Sequence, residues 1–113
     1  MNFRRELAEA VMAGSKTCTR RLVSDKPRSP WWYENCAYVP GQRIAICPGR
    51  GKHAIGHAVV TTVERMPLGR LSNAEAQAEG FGGRGGFVMA WTAINGSYDP
   101  AAIVWRIGLR ASP

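Results

Sequence analysis

At 113 residues, with 45% hydrophobic and 20% charged residues, the sequence has the size and composition of one domain that buries a core without metal or disulfide staples. A net charge of +7 attracts polyanions, RNA or DNA above all, and no apolar run approaches the roughly 20 residues of a membrane span. Three cysteines without close pairing form neither a disulfide framework nor a zinc motif, and the amino terminus lacks the apolar core of a signal peptide, so a single cytoplasmic domain over residues 1–113 is expected.

Phe3, Leu7, Ala10 and Val11 recur at helical spacing, which predicts an amphipathic helix over Phe3–Ala13, with Asn2 as candidate cap and Gly14 as its end. The stretch Ala13 to Leu22 follows, with short polar side chains interleaved with cations. Thr17 and Thr19 favour extended backbone, so Thr17–Leu22 reads as a strand. Alternation puts Thr17, Thr19 and Arg21 on one side and Cys18 and Arg20 on the other, with Lys16 at the turn able to serve either. Such a gathering suits an anion or a polarised carbonyl, or is simply a solvated strand end. Cations beside Cys18 favour a reactive thiolate, but no third group is evident to make a catalytic pair.

Ser24–Tyr38 is loop-like, broken by Pro27 and Pro30, and holds Trp31, Trp32 and Tyr33 in a row. Three consecutive aromatics cannot all face one core. They either offer faces for single-stranded bases or cover the end of a small barrel. A turn at Pro40-Gly41 precedes a strand over Arg43–Cys47, a basic loop over Pro48–Lys52, and a return strand over Ala54–Glu64. His53 and His57 have a helical metal-pair spacing, but four residues of strand span about 13 Å, so no metal is expected.

Ser72 and Glu75 make a capping-box pattern for a second helix ending at Glu79 before Gly80, with Leu71 stapled onto Ala76. The glycine-rich run Gly80–Gly86 follows a helix, not a strand. It therefore reads as a mobile loop that touches a phosphate through Arg84, and not as a dinucleotide fingerprint. Phe87, Ala90, Trp91 and Ile94 predict a short third helix closed by Asn95-Gly96, and Ile103–Leu109 a final buried strand. Few strands with helices between them give an α+β domain on a small, partly open barrel.

Gly14-Ser15-Lys16-Thr17-Cys18-Thr19-Arg20-Arg21 is similar to the G-x-K-T-x-T-x-R signature of the ASCH domain family, relatives of the PUA domain with small forms in bacteria and phages. Pro40-Gly41, Ala78-Glu79-Gly80-Phe81, Trp91 to Gly96 and Val104-Trp105 follow in that family's order. The resemblance implies a PUA-like barrel whose cleft takes RNA or a modified nucleoside. One bacterial branch resembles an amidohydrolase that deacetylates N4-acetylcytidine with a Lys, a Thr and a Glu. Carried over by motif, these fall on Lys16, Thr19 and Glu79, with the signature Arg on Arg21. The glycine-rich segment after Glu79 and the Trp-rich loop depart from that branch.

The chemistry needs a nucleophile, a proton acceptor and an oxyanion partner. Thr19 supplies a hydroxyl, and Lys16 accepts its proton if burial and Arg20 or Arg21 lower the amine pKa. Glu79 opposes that shift and is better suited to orient Lys16, to bond a base edge or to carry a proton to the leaving amine. Thr17, Arg20, Arg21, Trp31, Trp32, Tyr33 and Arg84 are the expected ligand-binding residues. No cofactor is expected. The main functional expectation is a basic cleft that binds RNA or a modified nucleoside, with amide hydrolysis the alternative.

Overall fold

A computed structural model describes residues 1–112. Helix α1 (Arg5–Ala13) leads to strand β1 (Cys18–Leu22), β2 (Arg43–Ile46) and β3 (Gly56–Pro67), then helices α2 (Asn73–Ala78) and α3 (Arg84–Asn95), and β4 (Ile103–Ser112). The four strands form one antiparallel sheet in the order β1-β4-β3-β2. Among the described residues no helix is long and apolar enough to cross a membrane.

The α+β class and the short helices agree with the sequence reading, but the sheet does not close into a barrel. Residues 1–3 lie along the free edge of β2, where Phe3 N–H donates to the Cys47 carbonyl at 2.9 Å. Across the gap, Arg21 of β1 reaches the Asn2 carbonyl at 2.9 Å. A side chain, not a strand ladder, spans the opening. Asn2 therefore bridges to Cys47 instead of capping α1, whose cap position is held by Arg4 without a side-chain bond.

Alternation along β4 sorts the core into two layers. Trp105, Ile107 and Leu109 pack with Ile44, Ile46, Val60, Phe3 and Val11 beneath α1. On the other face Val104 joins Leu68, Leu71, Phe87 and Trp91 beneath the α2–α3 pair. Between Val60 and Val63 the register with β4 slips by one residue, so Thr61 and Thr62 stand opposite Gly108. A Cβ there would collide with both threonine hydroxyls and crowd the Thr62 backbone N–H, so the bulge favours glycine.

Two turns bring the cavity residues together. Gly14 closes α1 at φ 84°, the left-handed region open to glycine, and the N–H groups of Ser15 and Lys16 both return to the Ala10 carbonyl. At the start of β1, Thr17 N–H donates to the Ala78 carbonyl at 2.7 Å, clamping the end of α2 against the signature strand. Gly80 then turns away at φ 99°, which leaves Glu79 facing Lys16.

The glycine-rich run is not all loop. Gly83 precedes α3, and Gly85 and Gly86 are its first turn. Arg84 is fixed there, its N–H on the Asn73 side chain at 3.0 Å and its Nε on the Leu71 carbonyl at 3.2 Å.

Candidate functional site

A cavity of about 290 Å³ opens between α1, β1 and α3. Lys16, Thr19, Arg20, Arg21 and Glu79 line it on the polar side, and Phe3, Phe81, Phe87 and Trp91 on the aromatic side. The buried polar and charged residues are Lys16, Thr19, Arg20 and Glu79 among those described, and all four line this cavity.

Lys16 Nζ donates to the Glu79 carbonyl at 2.7 Å, to the Cys18 carbonyl at 2.8 Å and to Glu79 Oε1 at 3.2 Å. A neutral amine has two N–H bonds, so three acceptors describe an ammonium with every proton engaged. Burial pushes Lys16 below the ordinary lysine value, against an upward pull from Glu79. The other Glu79 oxygen accepts from Arg20 Nη1 at 2.9 Å. Arg20 also donates to Glu75 Oε1 at 2.8 Å, and Arg106 grips both Glu75 oxygens at 2.7 and 3.1 Å. Hydrogen bonds from Arg106 and Arg20 hold the Glu75 carboxyl down to about 2.

Thr19 differs from its neighbours. It is 4% exposed and lines the cavity, yet its hydroxyl makes no hydrogen bond to the described residues. Cys18 is not a reactive thiolate: burial, then the Glu79 charge, push its thiol up to about 11, and it lies against Glu79 Oε2 at 3.7 Å.

Sequence reasoning thus named five residues that the fold brings together: Lys16, Thr19, Arg20, Arg21 and Glu79. It also named five that the fold keeps off the cavity wall. Thr17 is exposed, and its backbone does the clamping. Arg84 opens α3 and does not sit in a mobile loop, with its backbone N–H and Nε tied to Asn73 and Leu71. Trp31 stacks on Tyr38 at 5.1 Å, receives the Trp105 indole N–H at 2.9 Å and sits 5.6 Å from the Arg21 guanidinium. Trp32 and Tyr33 meet edge to face, and Tyr33 is 45% exposed.

The comparisons with known proteins bear on this geometry. No family model and no curated protein matches the sequence. An ASCH domain from Lactobacillus crispatus superposes with a TM-score of 0.68 at 13% identity, over 93% of this chain and 69% of that one. The fold is that of an ASCH domain. A protein of Enterococcus faecalis from family model DUF984 shares it, with a TM-score of 0.67 and 20% identity over 96% of this chain and 68% of the other.

In this ASCH fold the residues that sequence reasoning missed are apolar or paired. Phe87 and Trp91 were readable as the buried stripe of α3, and nothing in their spacing separates core from cavity wall. Glu75 was readable as the partner in a capping box. Ser72 does accept the Glu75 N–H at 3.1 Å, but the Glu75 side chain turns to Arg20 and Arg106 instead of back to the cap.

Proposed function

We propose that this ASCH domain binds a modified pyrimidine nucleoside, free or displayed by an RNA strand, in the cavity beside Lys16. The observation that carries the reading is a buried polar wall with an aromatic wall, in a space near the lower end of small-ligand pockets of about 300 to 1,000 Å³. That volume suits one nucleoside and not a stretch of strand. A flat base would rest against Phe87 and Trp91 while Thr19 and the edge of the ion network address its polar rim. Arg4, Lys16, Arg20 and Arg21 against Glu79 give the cavity an excess of cations, in keeping with a basic cleft. The PUA-like kinship belongs to the same reading: residues 1–3, tied to β1 by Arg21, stand where a barrel would close.

Calorimetric titration with cytidine and N4-acetylcytidine, beside fluorescence titration with short RNA at low and high salt, tests it. Saturable one-site binding of the nucleoside and RNA affinity that falls with salt are expected. No binding of either at low salt would refute the reading.

A second reading, amide hydrolysis of N4-acetylcytidine-type nucleosides, is favoured by the unbonded Thr19 hydroxyl beside Lys16 and Glu79. Thr19 Oγ would attack the acetyl carbon, the C–N bond would break as the leaving amine gains a proton, and water would then release acetate from the acylated threonine. Lys16, an ammonium with all protons engaged, would first return one to the Glu79 carboxylate. The amine so formed would take the Thr19 proton as Oγ attacks and hand it to the leaving nitrogen. Acetate release by the native chain, lost in Thr19→Val and Lys16→Ala, is the expected result. Equal release by all three would remove these residues from the reaction.

A further inference from the structure

The charges around the cavity are unevenly matched. Lys16 and Arg20 share Glu79, and Arg20 and Arg106 share Glu75, so each of these cations has a carboxylate within ion-pair distance. Arg21 has none among the described residues. Its guanidinium carbon lies 5.2 Å from the Phe3 ring centroid and 5.6 Å from that of Trp31, and Nη2 donates to the Asn2 carbonyl at 2.9 Å.

The remaining donors of Arg21, on Nε and Nη1 and the second N–H of Nη2, have no partner among the described residues. Neither Nε nor Nη1 is enclosed, since the buried polar side-chain atoms without partners are Arg20 Nε and Tyr98 Oη. Two aromatic contacts and a backbone tether therefore hold a planar fork of donors at the cavity with open N–H groups. Such a fork is set before a ligand arrives, so little side-chain freedom remains to be lost on binding. Arg4 also lines the cavity, and its nearest carboxylate, on Glu6, is 3.9 Å away with both side chains more than half exposed.

We propose that the ligand of this cavity carries a phosphate ester next to its nucleoside, and that Arg21, helped by Arg4, takes the phosphate oxygens. The proposal rests on the nucleoside reading above and narrows it by requiring a phosphate on the nucleoside, which excludes the free, uncharged form as the preferred ligand. A phosphate matches the guanidinium fork with two parallel charge-assisted bonds, whereas an uncharged nucleoside leaves those donors to water. The paired cations on the cavity floor have no such need, because their carboxylates already neutralise them. The shared chemistry is a phosphate ester within one ribose of the base, whether in a free mononucleotide or in an RNA strand.

Calorimetric titration of the whole chain with N4-acetylcytidine, with its monophosphate ester and with a trinucleotide bearing the same base tests the proposal. The monophosphate is expected to bind about 10- to 100-fold more tightly than the nucleoside, by an advantage that shrinks at high salt. Arg21→Gln is expected to remove most of that advantage, read as the ratio of monophosphate to nucleoside affinity within the same variant. If that variant fails to fold, the native ratio of the two affinities and its reduction in Arg4→Gln decide.

A trinucleotide at least as tight as the monophosphate identifies the strand as the source, and a weaker one identifies the mononucleotide. Either supports the proposal. Equal affinity for nucleoside and monophosphate overturns it and leaves the nucleoside reading standing. Binding of neither overturns both.

Discussion

The floor of the cavity and the aromatic loop are built from equally conspicuous residues and end in opposite circumstances. On the floor, Lys16, Arg20 and Glu79 are buried and both cations bond the Glu79 carboxylate, while Thr19 between them keeps its hydroxyl free. In the loop, Trp31 spends its ring on Tyr38 and Arg21 and its carbonyl on Trp105, while the half-buried Trp32 meets the exposed Tyr33 edge to face. The difference teaches that an unusual run of side chains does not by itself mark the ligand face. A backbone clamp at Thr17 turned the polar run inward, whereas the aromatic run became a buttress behind Arg21. Of the rings that do line the cavity, Phe87 and Trp91 came from an ordinary helical stripe.

The strongest way to break this contrast is to remove the carboxylate that holds the floor together. Glu79→Ala leaves Lys16 and Arg20 buried without that partner, and about 3 to 5 kcal/mol of stability should be lost. Urea unfolding read as a midpoint shift at constant slope checks it, and a loss below about 1 kcal/mol would mean the floor is solvated. Next comes the buttress. Trp31→Ala should cost about 2 to 3 kcal/mol, because its half-buried ring packs on the core, Tyr38 and Arg21, whereas Trp32→Ala, whose ring meets the exposed Tyr33, should stay within about 1 kcal/mol. Similar losses from both would contradict the buttress role.

Acid sharpens the comparison further. Glu75 titrates near 2 in the folded chain, well below its ordinary value of 4.5. Its contribution is therefore fully present above the ordinary value and is lost as pH falls from there toward 2. After allowance for its partial exposure this is about 1 to 2 kcal/mol. Unfolding midpoints measured from neutral pH downward should fall across that window in the native chain and less steeply in Glu75→Gln; parallel curves would exclude the link. The smallest expected effect is Thr19→Val. Its hydroxyl has no partner among the described residues, so stability should move by less than about 0.5 kcal/mol in thermal unfolding, while acetate release, if the chain performs it, disappears.

Local chemistry made much of this fold legible. Gly14 as a helix stop, Ser72 as a cap and the alternation of Thr19 and Arg21 against Cys18 and Arg20 all follow from rules acting within a few residues. What stayed hidden depends on distant partners. The bulge at Thr61 and Thr62 is set by Gly108 on another strand, and the carboxylates of Glu75 in α2 and Glu79 just after it find their cations on β1 and β4. The glycine run misled because glycine disfavours a helix interior by only about 1 kcal/mol, and the packing of Phe87 and Trp91 outweighs that at the first turn of α3. Lys16 and Glu79 were brought together on paper by motif resemblance, since no periodicity connects residues so far apart.

The central claim is that the ligand enters between the ion network and α3. Amide resonances of the labelled chain, followed as N4-acetylcytidine monophosphate is added, test it most directly. The account predicts saturable shifts confined to Asn2–Leu7, Lys16–Leu22, Glu79–Phe81 and Phe87–Asn95, with Trp32 and Tyr33 still. Saturable shifts centred on Trp32 and Tyr33, with Lys16, Thr19 and Glu79 unmoved, would contradict it.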